Sequence, residues 1–397
     1  MVLPVARVLR ERGWKVTLLA LTTAARKAEL EGIPHIGMRD LLDYAPEDVI
    51  ERGRALVGEP EADGEIPPEE TLAYHGIGIV DLAAEHGEDE ALRLFAERGR
   101  QAFLPRRFML RVLQDVQPDI VVSTNSPRAE QATLLAARDA GIPAICMVDL
   151  FALQEVEWIG QPGYADRVCV INEAVRKMFL QRGRSPAEVL VTGNPAFDGL
   201  ADPATIERGR DLRVRRGWDD GRVNILWAST VEPARHPFTG EPGDPALPRN
   251  AEAALRRYVE ADDRLRLVVR YHPSERIDFI PGERVSFSPS AEPLDELLHA
   301  VDLVVVTAST VGLQAWLAGK PVLSLDLSVF TADAPYSRMG VSVGANSLEE
   351  LQELLTEVVG KSLRIPLSGR QPPMAQLRSA TSAVVAAIEN LVVLPTE

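Results

Sequence analysis

Short apolar runs separated by helix-patterned segments recur along almost the whole chain, and this alternation constrains the fold more than any other feature. Residues 301–326, VDLVVVTASTVGLQAWLAGKPVLSLD, show the unit. Leu303 to Val306 is an apolar run, Thr307-Ala308-Ser309-Thr310 is a polar turn, Val311 to Leu317 is patterned as a helix, and Gly319-Lys320-Pro321 opens a second apolar run. Gly141-Ile142-Pro143 repeats the punctuation before Ala144 to Val148. In both places glycine takes the left-handed position after a helix and proline keeps the helix from continuing. Further strands are expected at Lys15–Leu21, Asp119–Ser123, Val168–Ile171, Val189–Thr192, Val223–Trp227 and Leu265–Tyr271, and helices at Val5–Arg12 and Glu130–Ala140. Strands alternating with helices imply an α/β protein with mostly parallel sheets.

A chain of 397 residues is long for one core and comfortable for two. The expected division is an N-terminal domain over 1–199, a C-terminal domain over 200–373, and a terminal helix within 374–397 that packs on either domain. Between Leu41 and Arg107 the strand rhythm gives way to charged, mainly helical sequence, read as an insertion at 41–107 containing the Gly/Pro/Glu-rich stretch Gly58–Glu70. The Pro- and Gly-rich loop Glu232–Asn250 has the length and composition of a mobile active-site flap.

The formal net charge of -15 argues against nucleic acid or an anionic membrane as the main partner, while leaving room for one local phosphate site. No run reaches the ~18 apolar residues of a membrane span, so membrane contact is at most peripheral. Cys146 and Cys169 lie inside apolar runs and read as buried, reduced thiols, which fits a cytoplasmic location. No Gly-rich dinucleotide fingerprint follows a first strand, and no phosphate-binding loop with a Lys-Ser/Thr ending or GxSxG elbow occurs. The six histidines lack metal-ligand spacing, so neither a dedicated metal nor a resident cofactor is expected.

In parallel α/β sheets, ligands collect at the carboxyl ends of strands. The polar residues expected there are Ser123-Thr124-Asn125-Ser126, Asp149 and Asn172-Glu173 in the first domain. In the second they are Ser229-Thr230, His272-Pro273, Thr307 to Thr310, and Asp326. Thr307, Ser309 and Thr310 sit where a strand yields to a helix, so they read as a helix cap, a phosphate site, or both. Ser229 and Thr230 read either as a polar turn or as ligand contacts, and Arg270 and His272 bracket Tyr271 where a cation or imidazole can meet a base or phosphate. Asp149 is a general-base candidate, with Glu155 and Glu157 as alternatives, or else a loop cap. Gly193, Asn194 and Asp198 read as structural, with Asp198 capping the next helix.

Val191-Thr-Gly-Asn-Pro-Ala-Phe-Asp198, Tyr271-His-Pro273 and Ala308-Ser-Thr-Val-Gly-Leu-Gln-Ala315 with Gly319-Lys-Pro321 resemble second-domain signatures of GT-B-fold enzymes. The nearest groups are nucleotide-sugar glycosyltransferases, CDP-glycerol glycerophosphotransferases and UDP-N-acetylglucosamine 2-epimerases. The resemblance implies two Rossmann-like domains facing across a cleft, the nucleotide held mainly by the second and the acceptor by the first. On that reading Ser229, Thr230, Arg270, His272, Thr307, Ser309, Thr310 and Gln314 bind the donor, Asn125 and Ser126 lie on the acceptor side, and Asp149 is catalytic. Gln314 stands where many relatives carry a ribose-binding Glu, and Thr124-Asn125-Ser126 replaces the acidic residue of the epimerases. The strand and Gly-His loop that usually precede the first helix have no counterpart before Met1, so the first strand of domain 1 is expected to be missing from the numbered chain. The implied activity is a metal-independent glycosyltransferase of bacterial polysaccharide biosynthesis, moving a sugar from a nucleotide-diphosphate sugar to an unidentified acceptor. The alternatives are a 2-epimerase-like enzyme and a catalytically silent sugar-nucleotide-binding protein.

Overall fold

The computed structural model describes residues 1–61, 66–237, 239–361 and 380–393. The chain divides into two compact units: one runs from Met1 to Ala196 and regains the C-terminal helix, and the other starts at Phe197. Each is built around its own parallel sheet.

The first unit opens with α1 (Val2–Glu11) and α2 (Thr23–Leu30), followed by the helical region α3 (Val49–Val57), α4 (Pro68–His86), α5 (Glu88–Arg98) and α6 (Arg106–Val116). Then come β1 (Val121–Thr124), α7 (Ala129–Ala140), β2 (Ala144–Met147), α8 (Val156–Ile159), β3 (Arg167–Val170), α9 (Glu173–Gln181) and β4 (Val189–Val191). The strands pair in the order β1-β2-β3-β4, all parallel. Gly141 ends α7 in the left-handed conformation at φ 69°, which glycine adopts without steric cost.

The segment Lys15–Leu21, expected to be a strand, is reduced to one parallel bridge between Leu19 and Ile36. Ala20 N–H donates to Ile36 and Ile36 N–H donates to Leu18, and the partner segment then turns into a 3-10 helix at Met38. The neighbour is too short to carry a ladder. Buried carboxylates from α4 hold the helical region together. Glu70 accepts the N–H groups of Met38 and Arg39, and Asp81 accepts those of Arg107 and Phe108 where α6 begins. Each satisfies orphan helix-start donors that would otherwise be left unpaired.

In the second unit α10 (Pro203–Arg215) leads to β5 (Val223–Ala228), α11 (Leu247–Ala261), β6 (Leu265–Arg270), β7 (Val285–Phe287), α12 (Leu294–Ala300), β8 (Leu303–Val306), α13 (Thr310–Leu317), β9 (Val322–Leu325), β10 (Val343–Ala345) and α14 (Leu348–Gly360). Asp202, not Asp198, caps α10, its carboxylate accepting the Ala204 N–H. The sheet order β7-β6-β5-β8-β9-β10 places the unit's first strand at the centre, with the chain winding outward to one side and then to the other. All four residues of β8 are fully buried. At about 1.5–3 kcal/mol per buried aliphatic side chain, this strand alone anchors the sheet.

The terminal helix α15 (Ala380–Val393) joins the first unit, where Val384, Val385 and Ile388 pack with Val5, Leu9, Ile145 and Met147. The start of the expected helix, 374–379, lies outside the described residues. The loop expected at Glu232–Asn250 ends at Leu247, where α11 begins. Glu232, 5% exposed, accepts hydrogen bonds from Ser328 Oγ and the Val329 N–H, and His236 pairs with Asp333 at 2.8 Å. Cys146 and Cys169 are both buried and free. No described helix is long and apolar enough to cross a membrane.

Candidate functional site

The order of the second sheet creates a topological switch between β5 and β8, the two strands from which the chain departs in opposite directions, and α/β sheets bind ligands at the carboxyl end of such a point. Ala228 at the end of β5 is the register partner of Val306 at the end of β8. Ser229-Thr230 and Thr307-Ala308-Ser309-Thr310 therefore leave the sheet side by side. The Oγ1 atoms of Thr230 and Thr307 are both buried without a hydrogen-bond partner among the described residues, and Thr307 is only 4% exposed. A buried hydroxyl left unpaired costs on the order of 1–3 kcal/mol, and each of these two has hydrogen-bonding capacity to offer a bound group.

Ser309 is the N-cap of α13, but its Oγ lies a long 3.4 Å from the Val311 N–H it accepts. Thr310, exposed, starts the helix, and half-buried Gln314 follows one turn later on the same face. Gly312 lets this helix start approach the strand: a Cβ there would lie 2.9 Å from Val306 Cγ2 and 3.2 Å from Tyr336 Cε2. The cap and anion readings of this turn are thus compatible, since the positive end of α13 faces the same outlet as the hydroxyls.

Ser229 is 3% exposed and engaged. Its Oγ donates to Glu275 at 3.0 Å and accepts from Arg249 at 2.6 Å. His272 is exposed, and its Nδ1 accepts the Ser274 N–H, so in the neutral ring Nε2 carries the proton. Arg270, expected on the donor side, is engaged within the protein. Its guanidinium donates to Ser288 Oγ and to the carbonyls of Pro289, Ser290 and Glu292, and so holds the loop after β7. Burial lowers its pKa, and the nearby charge of Glu292 opposes that shift.

In the first unit Asp149 follows β2 and is exposed. Its main chain is clamped from the ends of two other strands of the sheet. Asn125 Oδ1, after β1, accepts the Asp149 N–H at 3.0 Å, and Asn194 Nδ2, after β4, donates to the Asp149 carbonyl at 2.7 Å. Both asparagines are buried. Asp149 Oδ1 accepts the Leu150 N–H at 2.7 Å, so the carboxylate has the loop-capping contact while remaining accessible. Asn125 thus orients Asp149, and Ser126 closes a local turn with Thr124. Glu157 is paired with Arg182. Among the described residues no three His, Cys, Asp or Glu side chains gather as a metal site.

Sequence reasoning missed Arg249, Glu275 and the clamping role of Asn194. Arg249 sits at the edge of a Pro-rich stretch that reads as loop, and nothing in its own surroundings distinguishes it from the many other arginines. Glu275 carried a weak signal, an acidic residue three positions after His272, the spacing at which a side chain can fold back on a turn.

The fold is of the GT-B type: an α/β chain of two parallel-sheet units. Among the solved structures similar to it in fold are UDP-N-acetylglucosamine 2-epimerases. The Methanocaldococcus jannaschii enzyme superposes with a TM-score of 0.57 at 13% identity, covering 97% of this chain and 95% of that one. The Neisseria meningitidis enzyme, solved bound to UDP-GlcNAc, gives 0.54 at 15% identity over 94% and 99%. A Listeria monocytogenes protein assigned as a UDP-N-acetylglucosamine 2-epimerase gives 0.58 at 15% identity over 98% and 91%. Neither a protein-family model nor a curated protein sequence matches the chain.

Proposed function

We propose that this chain binds a nucleoside-diphosphate sugar at the carboxyl end of its second sheet and transfers the sugar to an acceptor. The observation that carries the reading is the pair of buried, partnerless hydroxyls of Thr230 and Thr307, emerging side by side at the switch point next to the start of α13. Breaking the bond between sugar and diphosphate builds negative charge on the diphosphate. Hydroxyls and helix-start N–H groups that are already oriented stabilise that charge without reorganising. Asp149, exposed and held by Asn125 and Asn194, is the proposed base for the acceptor hydroxyl. No resident cofactor enters this reading, since the nucleotide sugar is itself the substrate. A cytoplasmic setting belongs to the same proposal, supported by the two buried free thiols.

A second reading, 2-epimerisation of the sugar, is favoured by one observation: the solved structures with this fold named above are described as 2-epimerases. One experiment separates the readings. Nucleotide sugars that raise the melting temperature are incubated with the protein, with and without candidate acceptors, and followed by NMR. Nucleoside diphosphate released only with an acceptor supports transfer, and inversion at C2 of the sugar without an acceptor supports epimerisation. Binding without turnover in either arm leaves a sugar-nucleotide-binding protein, and no binding of any nucleotide or nucleotide sugar refutes the whole reading. In the transfer case Asp149→Asn lowers kcat by about 10²–10⁴-fold while donor binding persists.

A further inference from the structure

Beside the switch point lies a cradle of the kind that binds an oxyanion, and a carboxylate of the chain itself occupies it. Glu275, on the loop after β6, has a side chain only 8% exposed. Its Oε1 accepts hydrogen bonds from Ser229 Oγ at 3.0 Å and Arg249 Nη2 at 2.8 Å, and its Oε2 accepts the His272 N–H at 2.7 Å. A hydroxyl, a guanidinium and a main-chain N–H thus converge on one anionic group, and these donor types serve phosphate as well as carboxylate. Ser229 immediately precedes Thr230 and, by the pairing of Ala228 with Val306, leaves the sheet beside Thr307. The cradle therefore adjoins the two partnerless hydroxyls.

We propose that this cradle is an anion subsite of the nucleotide-sugar site, that Arg249 supplies its cation, and that Glu275 is an internal anion which a ligand phosphate displaces. The inference rests on the reading of the switch point as a nucleotide-sugar site. Arg249 is built to stay when Glu275 leaves: Nη1 is held by Glu252, and the guanidinium lies over the Tyr271 ring at 4.7 Å from its centroid. Glu275 is built to go, because His272, Pro273, Ser274 and Arg276 around it are all exposed, so a small movement of the loop returns its carboxylate to water. Arg270, at the end of the neighbouring strand, cannot serve instead, being committed to the loop after β7. Displacement also preserves the charge balance, since one anion replaces another against the same guanidinium.

A permanent staple would use the same contacts, and substitution separates the two. Glu275→Gln removes the competing charge with almost no change of shape, and Arg249→Met removes the cation while keeping much of the aliphatic stem. Calorimetric titration with UDP and with inorganic pyrophosphate is run on wild type, both variants, Arg249→Lys and Thr307→Val, with a melting curve for each. The displaceable anion predicts that Glu275→Gln binds both ligands roughly tenfold more tightly, that Arg249→Met binds at least roughly tenfold more weakly, and that Arg249→Lys recovers part of the loss. A staple predicts a lower melting temperature for Glu275→Gln with affinity unchanged or weakened, and that result overturns the proposal. If wild type binds neither ligand nor any nucleotide sugar, the reading of the switch point falls and the cradle with it. If wild type binds, Thr307→Val weakens binding, and the Arg249 and Glu275 variants leave it unchanged, only the cradle is refuted.

Discussion

Replacing Thr307 with Val separates a ligand-binding hydroxyl from a structural one, because the two roles move stability and affinity in opposite directions. Thr307 is 4% exposed and its Oγ1 has no hydrogen-bond partner among the described residues. Valine puts a methyl group in nearly the same space. An unpaired buried hydroxyl costs on the order of 1–3 kcal/mol, so the ligand-free variant should gain about 1 kcal/mol after allowance for imperfect packing. For a unit of this size, that corresponds to a rise in Tm of about 2–4 °C. A hydrogen bond from the hydroxyl to a charged phosphate contributes about 1.5–3 kcal/mol, so the same substitution should weaken donor binding by roughly 10- to 150-fold. The assay is a calorimetric melt of the ligand-free protein paired with titration of the best nucleotide from a binding screen. A lower Tm together with unchanged affinity would mean that the hydroxyl supports the fold, and the reasoning from orphan groups would fail.

Three further outcomes follow from particular contacts. Thr310→Glu should weaken nucleotide binding strongly by placing a like charge beside the phosphates, yet shift stability by no more than about 1 kcal/mol, since an acidic residue suits a helix start; unchanged affinity by titration would exclude a phosphate there. Gly312→Ala should lower stability by about 1–3 kcal/mol in urea unfolding, because its Cβ would press on Val306 and Tyr336. Asp220 is held at a pKa of about 2, chiefly by its hydrogen bond from Arg266, so its contribution is present above the ordinary carboxylate range and is lost as pH falls through about 2. Wild type should therefore exceed Asp220→Asn in stability near pH 6, and the difference should shrink below pH 4 and vanish near pH 2; a gap that widens in acid would contradict the assignment.

Much of the architecture was legible in the chain because buried parallel strands are mainly apolar and must be connected by helices. Leu303–Val306 follows that rule at every residue, Val223–Ala228 and Leu265–Arg270 at most of theirs, and all three were found at nearly their observed bounds. Gly141 and Gly319 marked helix ends for an equally local reason, the left-handed backbone at φ 69° and 78°. The three-residue edge strands β7 and β10 escaped notice, since a run so short has no period of its own and becomes a strand only when a neighbour offers its open edge. Lys15–Leu21 shows the converse: it has a strand's composition but only a single bridging partner.

For the site, local sequence determined which residues stand at strand ends and helix starts, and so placed Thr307, Ser309, Thr310, Ser229, Thr230 and Asp149 at the right ends of the right elements. What each side chain does there was decided by tertiary structure, because a hydrogen bond depends on which partner arrives within about 3 Å, and the partners come from distant segments. Arg270 and Arg249 show the difference. Both are arginines near strand or helix ends of the same unit, yet Arg270 is consumed by the loop at Ser288–Glu292, while Arg249 shares Ser229 with Glu275. Asn125 and Asn194 likewise became the two sides of one clamp only when β1, β2 and β4 were brought to a common edge, through contacts spanning 24 and 45 residues of sequence that no local pattern encodes.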